Sequence, residues 1–525
     1  MKNSFFLVIP EQRPNPELLK SFEETALQQW VIELPIANPG LATRLLYDLL
    51  KGFTRLEMDP MHRLEALELL RPSYVIIEDY LRSRLIKIGF PKGDDELKIH
   101  NVLVAIEKEF AVGYWIIARQ LTRRNTSWFQ GKNIALSIQR VIKGLSNIVI
   151  THYIMSLPVP DWVWIDLHSL HKLGIKLKKE TTKVADDTCL SKSSSILDCY
   201  RQILLLSIAD PTGLMQKEIQ QVYRFTEKIN NLVPLNRKQT EGRANLCVVL
   251  IDEDQAPFYT ASGNIDAEAA ALYLNFDKLL KALSNRDKFV NPAEARFSSI
   301  HAAKTSIEKL PQELINYLEQ RWSGVPLQGA TFFNDRLDRN FSVGLNSTHD
   351  LQAATQNSKE SHMEFLAESS SDRSLSCKFG NSGLLSIGSL ISFRKTDFPV
   401  NKRSLGVVNK ISISNADEKV IFEVEVLALQ SYAVNYLTLD AEPDAEPQKA
   451  LIYGVKSEQG ERSYLIVESF MFNNEDVLRL FMNNNNFPIV LGNKKNVGLG
   501  YWQFECRQVI ETEKVSASKK GFDFI

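Results

Sequence analysis

A chain of 525 residues is too long for one ordinary core and is expected to divide into about two to four domains. Its 44% hydrophobic and 24% charged residues are those of a folded globular protein, which excludes wholesale disorder. A formal net charge of -1 removes any whole-protein argument for nucleic acid or an anionic membrane as partner.

The opening stretch Met1–Pro10 lacks the length and the small-residue cleavage site of a signal peptide, and no run approaches the roughly 20 apolar residues that span a bilayer. Cys189, Cys199, Cys247, Cys377 and Cys506 are scattered and odd in number, which reads as reduced thiols. The expected compartment is the cytoplasm.

Helical spacing dominates from Glu17 onward. Leu41, Leu45, Leu49 and Phe53 recur four apart and predict one buried stripe, on a helix that Asn38 caps and Pro39 opens. Asp59-Pro60 starts a second helix and Arg71-Pro72 a third, the latter carrying Tyr74, Ile77, Tyr80 and Leu81. Further helices are predicted over 102–121, 134–157, 163–177, 196–208 and 214–232, with a polar loop over 181–195. The set resembles a solenoid of helical hairpins, without a clean repeat.

The pattern changes at Asn245. Leu246–Ile251 and Pro257–Ala261 read as a hairpin, and helices are expected over 265–283 and 310–321. Asn346–Asp372, rich in Ser, Gln, Asn and Glu, reads as a mobile linker or insertion. Beyond it, strands are predicted over 384–393, 404–412, 420–428, 450–455, 463–467, 488–491 and 501–510. Their spacing suggests one or two small barrels, and strands beyond the acidic stretch 441–447 favour two. The division this implies is a helical domain over 1–240, a mixed connector over 241–330, a first β-barrel over 331–440 and a second small β domain over 441–525.

Two groups of residues could carry chemistry. Asp166, His168 and His171 form D-x-H-x-x-H on a predicted helix, where an i, i+3 histidine pair could help hold a metal. The alternative is a pair of histidines packed in a helix seam, and no third ligand at a recognisable spacing supports the metal. Arg336 and Arg339, followed by Asn340, Ser342 and Gly344, place two guanidinium groups and small polar groups just ahead of the β-rich region. Guanidinium forks bind phosphate oxygens or stack on bases. With Asp335 and Asp338 interleaved, the same residues also read as a solvated, salt-bridged turn. No nucleophile elbow, Walker loop, dinucleotide fingerprint or H-E-x-x-H motif is present, and Cys199 and Cys247 lie in apolar surroundings. An enzyme is therefore not expected, and no cofactor or metal is implied.

The order of features resembles a group of proteobacterial proteins that carry a C-terminal PilZ-like domain. The resemblance is carried most specifically by residues 34–72, LPIANPGLATRLLYDLLKGFTRLEMDPMHRLEALELLRP. It continues through Trp164–His168, Arg336, Arg339, Val343–His349, Ile387–Leu390, Leu405–Val408 and Gly500–Phe504. The resemblance implies six-stranded barrels and a cyclic di-GMP site built from R-x-x-x-R and [DN]-x-S-x-x-G. Here the arginines are spaced R-x-x-R, and Asn340-Phe-Ser342-Val-Gly344 is also one residue short. A change of one residue on a strand reverses the face from which a side chain leaves. The expectation is an α+β chain, a multi-helix region followed by one or two small antiparallel barrels of PilZ type. It implies a non-enzymatic signalling adaptor in which Arg336, Arg339, Asn340 and Ser342 are the ligand candidates for cyclic di-GMP. A helical scaffold with a degenerate barrel and only protein partners is the other reading.

Overall fold

The computed structural model describes residues 5–509, apart from 88, 124–129, 240–244, 262–263, 267–268, 298–308, 354–363, 415–417, 443, 458–459, 470 and 483–484. Among the described residues nine helices come first: α1 (Pro16–Lys20), α2 (Glu24–Glu33), α3 (Pro39–Phe53), α4 (Pro60–Ile86), α5 (Asp94–Arg123), α6 (Gly131–Ile154), α7 (Val163–Lys176), α8 (Ile196–Ile208) and α9 (Gln216–Ile229). A short ladder of β1 (Val184–Ala185) and β2 (Ser193–Ser194) lies between α7 and α8.

Asn38 and Asp59 cap α3 and α4, accepting from Leu41 N at 3.3 Å and Met61 N at 2.9 Å, with Pro39 and Pro60 at the first helical positions. On α3 the buried row is Ala42, Leu46, Leu50 and Phe53, while Leu41 and Leu45 are exposed. The expected stripe is thus turned by one residue. Two leucine rows lie side by side on this helix, and only its neighbours choose between them. Nor does Pro72 begin a helix: α4 runs through it. An interior proline costs about 3 kcal/mol. Leu64, Leu67, Leu70, Ile77, Leu81 and Leu85 are all buried along the same helix, and each contributes about 1.5–3 kcal/mol, so continuity wins.

The helices gather around α5 and α6, which between them touch α3, α4, α7, α8 and α9. Close approach of the two needs Gly144, where a Cβ would lie 2.8 Å from that of Ala111. Contrary to the sequence expectation, α6 is long and apolar enough to cross a membrane by length and composition, and 83% of its apolar window is buried within the chain. One apolar cluster reaches from Leu7 to Trp322 and so takes in the elements after α9. These are a sheet ordered β3-β6-β4-β5 from β3 (Leu235–Asn236), β4 (Asn245–Leu250), β5 (Phe258–Ala261) and β6 (Ala271–Leu274), followed by α10 (Asp277–Leu283). A parallel pair, β7 (Val290–Asn291) with β8 (Leu310–Pro311), leads into α11 (Gln312–Trp322). The helix expected over 265–283 therefore splits, because the apolar run at 271–274 satisfies its backbone against β3 and β4.

The C-terminal part is two closed six-stranded antiparallel barrels. The first comprises β9 (Arg339–Val343), β10 (Phe365–Ser369), β11 (Ser374–Cys377), β12 (Leu390–Lys395), β13 (Ser404–Ile413) and β14 (Val420–Ala428), ordered β10-β11-β14-β13-β12-β9 and closed by β9 against β10. Helix α12 (Leu345–Ala353) follows β9 directly. Residues 346–372 are thus no simple linker: α12 and β10 occupy much of the segment, and 354–363 lie outside the described residues. Polar composition hid a strand whose inward residues Phe365 and Ala367 are enough to close the barrel.

The second barrel comprises β15 (Tyr432–Thr438), β16 (Gln448–Ser457), β17 (Gly460–Val467), β18 (Val477–Met482), β19 (Asn485–Gly498) and β20 (Tyr501–Gln508). Its strands begin before the acidic 441–447 stretch, which connects β15 to β16. A shared cluster of Leu390, Leu405 and Val407 with Leu451, Tyr453 and Ile466 joins the barrels. The helical part meets the first barrel through paired backbone bonds between Phe90 and Leu385 at 2.6 and 2.8 Å.

The choice of row on α3 is measurable. Leu46→Ala is expected to lower the stability of the full chain by about 2–5 kcal/mol and Leu41→Ala by no more than about 0.5 kcal/mol, read from urea midpoints. Equal losses would restore the row read from spacing.

Candidate functional site

The arginine pair sits where the chain enters the first barrel. Phe332 and Phe333 pack on Phe393 at the barrel mouth, with ring centroids 5.3 and 5.6 Å from it. A turn follows, in which Arg336 N donates to Phe333 O at 3.0 Å. Arg336 is exposed and adopts φ 56°, the left-handed region that a non-glycine residue enters at a cost of about 1–2 kcal/mol. Held strain of this kind is a pointer to function.

Arg339 opens β9 and is 1% exposed. Its Nη2 donates to both oxygens of Asp335 at 2.7 and 2.8 Å, its Nη1 donates to Leu337 O at 2.7 Å, and its guanidinium carbon lies 5.8 Å from the centre of the Phe333 ring. Lys395, its register partner on β12, brings Nζ to 2.9 Å from the same Asp335. Leu337 N also donates to that carboxylate, at 3.2 Å. Partial burial alone would raise the Asp335 pKa, but the hydrogen bonds from Lys395 and Arg339 outweigh it and bring it down to about 2. The turn therefore holds a carboxylate of the chain between two cations.

The other two residues of the sequence motif separate. Asn340 is half-buried on the outer face, in register with Leu366 and Arg394. Ser342 is fully buried beneath α12, 2.9 Å from Ser392 Oγ and 3.4 Å from Thr348 Oγ1. Arg403, also buried, donates to Ser392 Oγ at 2.7 Å and pairs with Glu364, which in turn clamps Arg394 at 3.0 and 2.7 Å. Among the described residues, Arg336, Arg339, Lys395, Arg394 and Arg403 outnumber Asp335, Asp338 and Glu364 along these segments. The pairing of Arg339 with Asp335 is the salt-bridged turn that the interleaved aspartates suggested, whereas spacing could not reveal Lys395, which arrives from another strand.

The D-x-H-x-x-H group is engaged elsewhere. Asp166 accepts from Phe6 N and Leu7 N at 2.9 and 2.6 Å, and burial lifts its pKa to about 6 despite those bonds. His168 contacts Tyr200 Oη at 2.7 Å and Gln255 O at 3.0 Å, and His171 stacks on Tyr200 with centroids 4.2 Å apart. Burial lowers the pKa of both, to about 4 and about 3. Among the described residues no cluster of histidine, cysteine and carboxylate side chains has the form of a metal site.

A cavity of about 490 Å³ lies between α4, α6 and α9 and is lined in part by Arg71, Tyr74, Arg82, Asn147 and Tyr223. Its charges are matched internally. Arg82 bridges Glu78 and Glu107 at 2.9 and 2.8 Å, and burial pushes Glu107 up to about 8 against that pairing. Arg71 and Lys143 each reach Asp186 at 2.6 Å. Against the raising effect of burial, Lys143, Arg71 and Arg140 hold the Asp186 carboxyl far below the usual range. The Tyr223 hydroxyl is buried there without a hydrogen-bond partner.

Residues 25–239 match the family described as the N-terminal domain of the cyclic-di-GMP receptor FimW. Over 302 residues the chain is 26% identical to the cyclic-di-GMP receptor FimW of Pseudomonas aeruginosa, covering 57% of this chain and 48% of that protein. The chain spans about half the length of the curated relative it matches. Among solved structures, one described as MrkH, a novel c-di-GMP dependence transcription regulatory factor, aligns with a TM-score of 0.13 and 7% identity over 34% of this chain and 78% of that one. A likeness that slight supports no reading of fold or function.

Arg339→Ala is expected to destabilise the chain by about 1–3 kcal/mol, because it removes the buried guanidinium whose charge-assisted bonds to Asp335 and Leu337 O tie the turn to β9. Arg336→Gly should be about 1 kcal/mol more stable than Arg336→Ala, since glycine relieves the left-handed strain; thermal melts compare them. By carboxyl NMR, Asp335 is expected to titrate near 2 in the native chain and to move toward about 4 in Arg339→Ala. Its folded pKa is depressed, so its stabilising effect is complete above the ordinary carboxylate range and is lost as pH falls toward 2.

Proposed function

We propose that this protein is a non-enzymatic cytoplasmic receptor for cyclic di-GMP whose occupied first barrel signals to a protein partner in bacterial surface behaviour such as pili, motility or biofilm. The observation that carries the reading is the match of residues 25–239 to the N-terminal domain of a protein named as a cyclic-di-GMP receptor. The anion site at the barrel mouth supports it with chemistry. In this reading the barrel is of PilZ type, and a phosphate takes the place of the Asp335 carboxylate.

The exchange works as follows. Arg336 is exposed and meets the incoming phosphate first. Asp335 gives up Arg339 and Lys395, whose donors then fork onto phosphate oxygens. Asn340, next along β9 and facing outward, reaches the edge of a base. Ser342 takes part only through α12, under which it lies. That helix touches the second barrel through Asp350 to Lys449 at 2.5 Å and Gln352 to Ser431 O at 3.0 Å, so a shift of β9 is passed to a surface a partner can read.

A second reading has one observation in its favour: Arg339 and Ser342 are both spent on internal contacts. It makes the chain a helical interaction scaffold whose barrels serve protein contacts alone. Calorimetric titration of the full chain with cyclic di-GMP separates the two. The receptor reading expects binding that weakens at least tenfold in Arg336→Ala, since each charge-assisted phosphate contact contributes about 1.5–3 kcal/mol. It also expects severalfold tighter binding in Asp335→Asn, where the resident charge is gone. No heat at high micromolar ligand would leave only the scaffold.

A further inference from the structure

An aromatic ring stands in solvent beside the anion site. Phe398, in the loop after β12, is 48% exposed, and Val400 in the same loop is 40% exposed. Leu337, leading into β9, is 48% exposed, and Leu366 on β10 is 57% exposed. Single exposed apolar residues are ordinary. Here β9 pairs with both β10 and β12, so the three segments that carry them lie side by side at one edge of the barrel.

The loop carrying the ring is fixed. Phe398 N donates to Lys395 O at 3.0 Å, and Phe398 O accepts from Arg394 Nη1 at 2.7 Å. Glu364 holds Arg394 from the other side. Lys395 Nζ lies 5.8 Å from the centre of the Phe398 ring and 2.9 Å from Asp335. One ammonium thus links the ring to the carboxylate that holds the phosphate position. A preorganised aromatic face next to cations receives a flat π system joined to phosphate, because the ring stacks on the base while the cations take the charge.

We propose that Phe398 is the stacking platform for a purine base of the nucleotide whose phosphate enters at Asp335, Arg336 and Arg339. The inference rests on the receptor reading and adds to it a residue and a requirement: the ligand carries an aromatic base within one nucleotide's reach of its phosphate.

The test is titration of the full chain with cyclic di-GMP, comparing wild type, Arg336→Ala, Phe398→Ala, Phe398→Leu and Phe398→Tyr, with thermal melts to confirm folding. Stacking predicts roughly tenfold weaker binding in both Phe398→Ala and Phe398→Leu, and binding within about twofold of wild type in Phe398→Tyr. The leucine variant keeps the apolar bulk and loses only the π face. Wild-type affinity in Phe398→Leu, or in Phe398→Ala while Arg336→Ala is weakened, overturns the platform, leaves the receptor reading standing and assigns the patch to a protein contact. A wild-type chain that binds no cyclic di-GMP overturns both.

Discussion

The first barrel closes on β9, which is hydrogen-bonded to β10 on one side and β12 on the other. A strand must send successive side chains to opposite faces, and here that rule distributes the whole candidate site. Phe341 points inward and packs against Phe365, Phe379 and Phe422. Arg339, two residues earlier, must share its side and arrives at the barrel mouth with a charge to satisfy. Asn340 and Ser342 leave on the other face, one toward solvent and one beneath α12. Sliding β9 by one residue would place the guanidinium outside and an asparagine among the phenylalanines, so the register is held by the aromatic core rather than by the polar residues it positions.

Asp335 is the consequence of that burial. A guanidinium at 1% exposure is costly to leave without a counter-ion. Asp335 removes the penalty, and Lys395 strengthens the cluster from the facing strand. On the proposed receptor reading, an incoming phosphate would therefore replace the Asp335 carboxylate rather than add to it, and its greater charge and number of acceptors would engage the exposed Arg336 as well.

The helical part follows a different economy. Its buried ions are balanced within the cleft between α4, α6 and α9, with Arg82 shared by Glu78 and Glu107 and Asp186 surrounded by cations. Such networks hold helices in one arrangement more than they invite a ligand. The helical core also extends through α11, and short backbone bonds at Phe90 and Leu385 tie it to the first barrel.

Some of this was legible in the residues alone. Helix starts at Asn38-Pro39 and Asp59-Pro60, the strand at 420–428 and the change from helix to strand depend on local chemistry, caps and periodicity, and those are written in order along the chain. What depends on a neighbour was not. Two leucine rows on α3 are equivalent until α4 and α5 select one, and Pro72 halts a helix only where burial on both sides is too weak to carry it through. Phe365–Ser369 looks like polar linker until β9 needs a partner. Spacing could place Arg336 and Arg339 before a barrel with Asp335 beside them, but Lys395 and the outward ring of Phe398 reach that turn only when β9 and β12, far apart in sequence, are paired.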